Sequence, residues 1–281
     1  MPERVRSDSA HITPSAHYTG YVWYRHQLAE AAFATRMGRW VHGCVAPINW
    51  GAKLGFGLDI EDFLLQRHLL IDGCLVRAIE AEPQTQVVEI ACGLSPRGRR
   101  FCQRYPDLHY LEADLPPMAQ RKAQLLERQG WLNQRHRVQP VDILAADGPH
   151  SLAVLFAGLD PQRPVVVITE GLVNYFQRPL IEAFWTRLAA RLQGFAAGRY
   201  LTDLYPDLRE HPRYRQIRWG VGLIGRLTRG DYPLHYRSDA QIGEAFQRCG
   251  FAQVRVLDPA GDPSLPQGRL PSLVRVIEAQ V

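Results

Sequence analysis

Cysteine is scarce and shows no pairing pattern: Cys44, Cys74, Cys92, Cys102 and Cys249 are five in number, widely spaced and without a CxxC pair. An odd set at such spacings excludes a disulfide framework and carries no zinc signature, so a reduced compartment is expected. Long apolar runs are missing too, none approaching the ~18 residues of a spanning helix. The N-terminal MPERVRSDSAH lacks the apolar core of a signal peptide. The expectation is a cytoplasmic chain without a membrane partner. Repeats and low-complexity blocks are absent, and only residues 258–271, DPAGDPSLPQGRLP, are dense enough in Pro and Gly to read as a loop. Charge of one sign is not concentrated either. The net charge is +5, but Arg and Lys are interleaved with Asp and Glu along the chain. The densest basic cluster, residues 209–218, reads as a solvated helical surface, and nucleic acid is not expected as a partner.

What is present is enough for a full core: 281 residues, 46 % of them hydrophobic, which suits one large α/β domain with additions. Over residues 59–80, Ile60, Phe63, Leu64, Leu70, Ile71, Cys74, Leu75 and Ile79 fall at helical spacing behind a capping Asp59. Seven strand-like runs follow, at residues 87–91, 109–113, 137–143, 164–169, 198–204, 252–257 and 272–279. Helical patterns at 118–129, 150–157, 180–193 and 239–249 lie between them. Alternation of this kind predicts a doubly wound, mostly parallel seven-stranded α/β sheet. Residues 1–58 form an N-terminal extension, and residues 59–281 the main domain, with an insertion at about 205–236 after the fifth strand.

In such sheets ligands sit outside the carboxyl ends of the strands. The first strand ends in VVEIACGLSPRG, where Glu89 precedes the small residues Ala91 and Gly93. Small residues there allow a ligand to approach the backbone, and Pro96 suits the start of a helix. The turn is a nucleoside-type cradle and not the dinucleotide fingerprint, because GxGxxG is missing. The second strand ends in YLEADLP, which puts Glu112 and Asp114 on one face, where a carboxylate can accept both hydroxyls of a ribose. Asp142 and Ile143 follow the third strand and suit an adenine edge. After the fourth, continuously apolar strand comes ITEGLVNYF, with Glu170 placed where a carboxylate needs a cationic partner and Tyr175 and Phe176 beside it.

These stretches, in this order and at these separations, resemble the class I S-adenosylmethionine-dependent methyltransferases of the leucine carboxyl methyltransferase type, over about residues 59–193. The resemblance implies a Rossmann-like fold, S-adenosylmethionine as cofactor and S-adenosylhomocysteine as product. It implies that Arg67, in LLQRHLLID, grips the methionine carboxylate, that Ala91 and Gly93 form the cradle, and that Asp114 is the ribose acid. It further implies that Asp142 and Ile143 frame the adenine and that Glu170 holds the methionine end. Two departures stand out: Ala91 occupies a position where the family has glycine, and the N-terminal region carries the aromatic run SAHYTGYVWYRH in place of a lid lysine.

Methyl transfer from a sulfonium needs an oriented nucleophile and a dry site. A carboxylate is already ionised near neutral pH, whereas an alcohol needs a base, and no histidine among His17, His26 and His235 is marked for that role by spacing. The reading is therefore O-methylation of a carboxylate on a small molecule or chain terminus, with Glu170 and Tyr175 at the reacting centre. A hydroxyl acceptor and a non-catalytic cofactor-binding module are the alternatives. Tyr18, Tyr21 and Trp23 of a helical N-terminal lid, and Tyr214 and Trp219 of the helical insertion, are the expected acceptor-facing residues.

Overall fold

A computed structural model describes residues 13–57, 59–207, 209, 214–215, 233–267 and 272–281, apart from the side chains of residues 13, 14 and 56. Seven strands form one sheet: β1 (Gln86–Ile90), β2 (His109–Asp114), β3 (His136–Pro140), β4 (Val165–Thr169), β5 (Gly198–Leu204), β6 (Gln253–Leu257) and β7 (Arg275–Gln280). Their order across the sheet is β3-β2-β1-β4-β5-β7-β6. The pairs from β3 through β5 are parallel, and β7 runs antiparallel to both neighbours. The chain reverses direction across the sheet between β1 and β4, which opens a crevice at their carboxyl ends.

Among the described residues, eight helices surround the sheet and its carboxyl edge: α1 (Thr13–Arg25), α2 (Arg36–Phe56), α3 (Ile60–Ala81), α4 (Arg97–Arg104), α5 (Pro116–Arg128), α6 (Leu152–Ala157), α7 (Arg178–Leu192) and α8 (Asp239–Arg248). Alternation along β4 sends Val165 and Val167 to one face and Val166 and Ile168 to the other, so both faces need cover. On one side Phe184, Trp185, Leu188 and Phe246 of α7 and α8 supply it. On the other, Leu70, Ile71, Cys74, Leu75 and Ile79 of α3 pack with Phe101 of α4. Each such buried side chain contributes about 1.5–3 kcal/mol relative to exposure.

Local chemistry sets the helix boundaries. Asp59 caps α3 in a reciprocal box with Asp62, as its spacing predicts. Helix α2 starts at Thr35, whose hydroxyl accepts the Gly38 N–H, and ends at Gly57 in the left-handed conformation. The periodicity of residues 36–56 was masked by Gly38, Gly43, Pro47 and Gly51, which break a sequence pattern without breaking this helix. β3 stops at Pro140, three residues short of the expected end, because the Asp142 side chain turns the chain by accepting the Leu144 N–H at 2.9 Å.

The expected lid segment is helical. α1 packs through Tyr18, Val22 and Trp23 on Leu64 and Leu65 of α3, and Ala16 lies close enough to meet any side chain added at Gly93. The N-terminal helix thus lies over the carboxyl end of β1. Most of the insertion after β5, including Trp219, lies outside the described residues.

Candidate functional site

The turn after β1 is built on two left-handed residues, Ala91 at φ 55° and Gly93 at φ 48°. Alanine pays roughly 1–2 kcal/mol for this conformation, so Ala91 holds the turn under strain that a glycine would not carry. The Gly93 N–H donates to Asp114 Oδ2 at 2.7 Å and the Leu115 N–H to Oδ1 at 2.7 Å, which fixes the carboxylate at the end of β2 against the β1 turn. Burial pushes the Asp114 carboxyl up, with the two backbone donors opposing.

At the end of β4, Glu170 stands in a dense ionic network. Its Oε1 accepts from Arg67 Nε at 3.1 Å, and its Oε2 accepts from Arg97 at 2.6 Å and lies 2.8 Å from His68 Nδ1. Burial raises the Glu170 carboxyl, but His68, Arg97 and Arg67 together outweigh it and hold the group well below the usual carboxylate range. Arg97 is wholly buried and also binds Asp72 and Glu89, both at 2.6 Å, while Arg100 reaches Asp72 at 2.5 Å and His68 Nε2 at 3.0 Å. Donation from His68 Nδ1 to Glu170 and from Arg100 to Nε2 satisfies both ring nitrogens. Arg67 also reaches Asp203 Oδ2 at 3.3 Å, and Asp203 Oδ1 accepts the Gly171 N–H at 2.6 Å. Burial raises the Asp203 carboxyl against the pull of Arg67. Gly171 is left-handed at φ 66°, and a Cβ there would sit 2.8 Å from the Arg67 guanidinium.

The structure therefore brings Arg67, Ala91, Gly93, Asp114 and Glu170 to one edge of the sheet. Other expected residues are placed differently. Glu89 is 1 % exposed and spent on Arg97 and Tyr110, so it reaches the site only through Arg97. Glu112 is completely buried between Lys122 and His136, in a charge cluster under the sheet that gives it no access to a ribose. Two residues apart on a strand share a face, but β2 ends at Asp114, where the chain turns and the shared direction is lost. Asp142 lies after β3 as expected, its carboxylate closing its own turn, while Ile143 is buried in the core with its carbonyl accepting from Arg187.

Of the aromatic set, Tyr18 and Trp23 are corrected to anchors of α1. Tyr18 is 8 % exposed beside Asn49, and Trp23 is 2 % exposed and stacked on His68 at 4.2 Å. Tyr21 packs edge-on against His42, and Tyr214 donates to Asp207 at 2.9 Å. Tyr175 donates to Ser15 of α1 at 3.2 Å, tying α1 to the turn after β4.

Sequence reasoning missed His68, Asp72, Arg97 and Asp203. Asp203 had a signal, since it is an acid at the end of β5 and the strand-end rule applied to the first four strands finds it. Arg97 had none, because a basic residue in the first turn of a helix reads as solvated surface until its burial is known.

The sheet order with a reversed last-paired strand, the cradle after β1 and the acid at the end of β2 form the frame for comparison with known proteins. A model of the leucine carboxyl methyltransferase family matches residues 27–189. The chain belongs to this family. Among curated relatives, a Mycobacterium leprae (strain TN) protein, named a candidate S-adenosyl-L-methionine-dependent methyltransferase, is 35 % identical over 104 residues. That stretch is 37 % of this chain and 33 % of the relative, so the chain spans about a third of the length of the first curated relatives it matches. A Streptomyces avermitilis protein with the same description is 28 % identical over 169 residues, 60 % of this chain and 57 % of the relative. A solved structure of a candidate O-methyltransferase from Nostoc punctiforme PCC 73102 superposes with TM-score 0.51 at 13 % identity, covering 77 % of this chain and 57 % of that one, which shows a shared fold.

The cofactor of this leucine carboxyl methyltransferase family member is S-adenosylmethionine, and the donor set suits it. A buried carboxylate anchored by two backbone N–H groups fits hydroxyl donors, and a guanidinium beside a strand-end carboxylate fits an amino-acid moiety.

Proposed function

We propose that this family member transfers a methyl group from S-adenosylmethionine to a carboxylate oxygen of a small molecule or chain terminus. The carrying observation is that the candidate proton acceptors are committed elsewhere. His17 is held between Thr35 and Arg121, each at 2.8 Å, and His26 faces Glu61 at 3.0 Å. His235 donates to the Phe176 carbonyl at 2.8 Å, and Tyr175 donates to Ser15. A carboxylate acceptor needs none of them, since it is ionised at neutral pH, whereas an alcohol does.

In this reading Asp114 accepts the ribose hydroxyls, Arg67 holds the methionine carboxylate and Glu170 the methionine ammonium. The cradle of Ala91 and Gly93 lets the nucleoside lie against the backbone, with Asp142 and Ile143 beside the adenine. Bound S-adenosylmethionine supplies an electrophilic methyl on a good leaving group. The protein orients the acceptor and excludes water, with Tyr175 after β4 and Tyr21 of α1 beside the acceptor and Glu170 fixing the methionine end next to it. Glu170 stays ionised beside His68, Arg97 and Arg67, which suits it to bind an ammonium and makes it a weak base.

Incubation with methyl-labelled S-adenosylmethionine and a panel of matched carboxylic acids and alcohols tests the proposal. Label that is released as methanol on mild alkaline treatment marks a methyl ester and supports it. Alkali-stable label marks an ether and a hydroxyl acceptor. Binding of S-adenosylhomocysteine with no transfer to either series marks a binding module.

A further inference from the structure

Helix α2 turns an apolar face outward. Met37 is 50 % exposed, Trp40 68 %, Trp50 70 % and Leu54 64 %. At 100° per residue these four, with exposed Cys44 and Pro47, fall within an arc of about 140°. The opposite face, through Val41, Val45 and Asn49, packs toward α1 and α3. We propose that this outer face is a docking surface for a membrane leaflet carrying anionic lipid.

Charge decides the occupant. No Asp or Glu occurs from Arg36 to Phe56, whereas Arg36 and Arg39 are exposed on the outer side and the chain has a net charge of +5. The acids that α3 brings near the helix point inward and are neutralised. Glu61 is gripped by Arg25, His26 and His42, and Asp59 and Asp62 pair with Lys53. Lys53 at the far end is balanced by Asp59 and Asp62, so the positive charge of the outer face lies at the Arg36 and Arg39 end, where an anionic surface complements it. The two exposed indoles lie ten residues apart, roughly 15 Å along the axis, where an amphipathic ring prefers the boundary between headgroups and acyl chains. No helix among the described residues is long and apolar enough to cross a membrane, so α2 lies on the surface. The absence of a spanning run, from which no membrane partner was expected, does not bear on a helix that lies in the interface.

The test is co-sedimentation of the full chain with vesicles of equimolar phosphatidylcholine and phosphatidylglycerol, and with phosphatidylcholine alone. The expected result is binding to the anionic vesicles that weakens at high salt and falls at least about tenfold in the Trp40→Ala, Trp50→Ala double variant. Both side chains are exposed, and unchanged S-adenosylhomocysteine affinity of the variant confirms its fold. No binding to anionic vesicles overturns the proposal, as does binding that the double variant retains. A dimer that dissociates in the double variant, without vesicle binding, overturns it in favour of an interface between copies.

Discussion

The Arg97 guanidinium reaches the Glu170 carboxylate at 2.6 Å and so ties the helix after β1 to the end of β4. Both groups are buried, and the same guanidinium neutralises Glu89 and Asp72. Arg97→Ala would leave three carboxylates short of a partner, and removal of one member of a buried ionic set costs about 3–5 kcal/mol. The variant is expected to unfold at clearly lower urea than the parent. The same network fixes a pH dependence: Glu170 is depressed below its unfolded value, so its stabilisation is present above the ordinary glutamate range and is lost as pH falls through the lower folded value. Glu170→Gln should lose part of this acid-dependent slope, and an unchanged slope in equilibrium unfolding from neutral to acid pH would count against the assignment.

Arg67→Ala should weaken S-adenosylmethionine binding by ~1.5–3 kcal/mol, about ten- to a hundredfold in Kd. Calorimetric titration measures it. Because Arg67 also holds Asp203, thermal unfolding of the same protein is needed beside it; a drop in melting temperature with unchanged affinity would remove Arg67 from the cofactor site.

The strained turns give opposite expectations for two small changes. Ala91→Gly relieves a left-handed alanine, and after the entropy cost of glycine the gain is about 0.5–1 kcal/mol. Gly171→Ala does the reverse, since it combines a left-handed φ of 66° with a Cβ 2.8 Å from Arg67, and a loss of about 1–3 kcal/mol is expected. Chemical denaturation of both variants reads the two signs. Stabilisation by Gly171→Ala would show that the β4 turn is more plastic than its geometry implies.

Asp114 must be ionised to accept two ribose hydroxyls well, yet burial raises its carboxyl above the ordinary aspartate value. Affinity for S-adenosylhomocysteine should therefore weaken as pH falls from neutral toward the ordinary aspartate range, and at a higher pH than an exposed aspartate would give. Asp114→Asn should bind more weakly at neutral pH and show less of this dependence. A parent protein whose affinity is flat across that range argues for another ribose partner.

The strands were legible because each carries its burial in its own residues. PVVVIT is apolar from Pro164 to Ile168, as a strand covered on both faces must be, and Asp59 announces α3 three residues before Asp62 completes the box. The edge at which a ligand is expected was legible for the same reason, since the carboxyl ends of parallel strands follow once the strands are known. Asp114 and Glu170 were placed at that edge this way.

Direction and partnership were not in the local pattern. Glu112 and Asp114 look equivalent in YLEAD, and only the packing of Lys122 and His136 under the sheet takes one of them away from the site. Arg97, Asp72 and Asp203 come from α4, α3 and β5, separated by 25 to 131 residues, and their meeting at Glu170 and Arg67 depends on which strands lie beside each other. The sequence by itself determined the strands, several of the helices between them and the edge at which a ligand is expected, because periodicity and apolar runs are local properties. Tertiary structure alone decided which charges are paired, which aromatics anchor α1 and which face of α2 is left to solvent, because pairing and exposure are properties of neighbours distant in the chain.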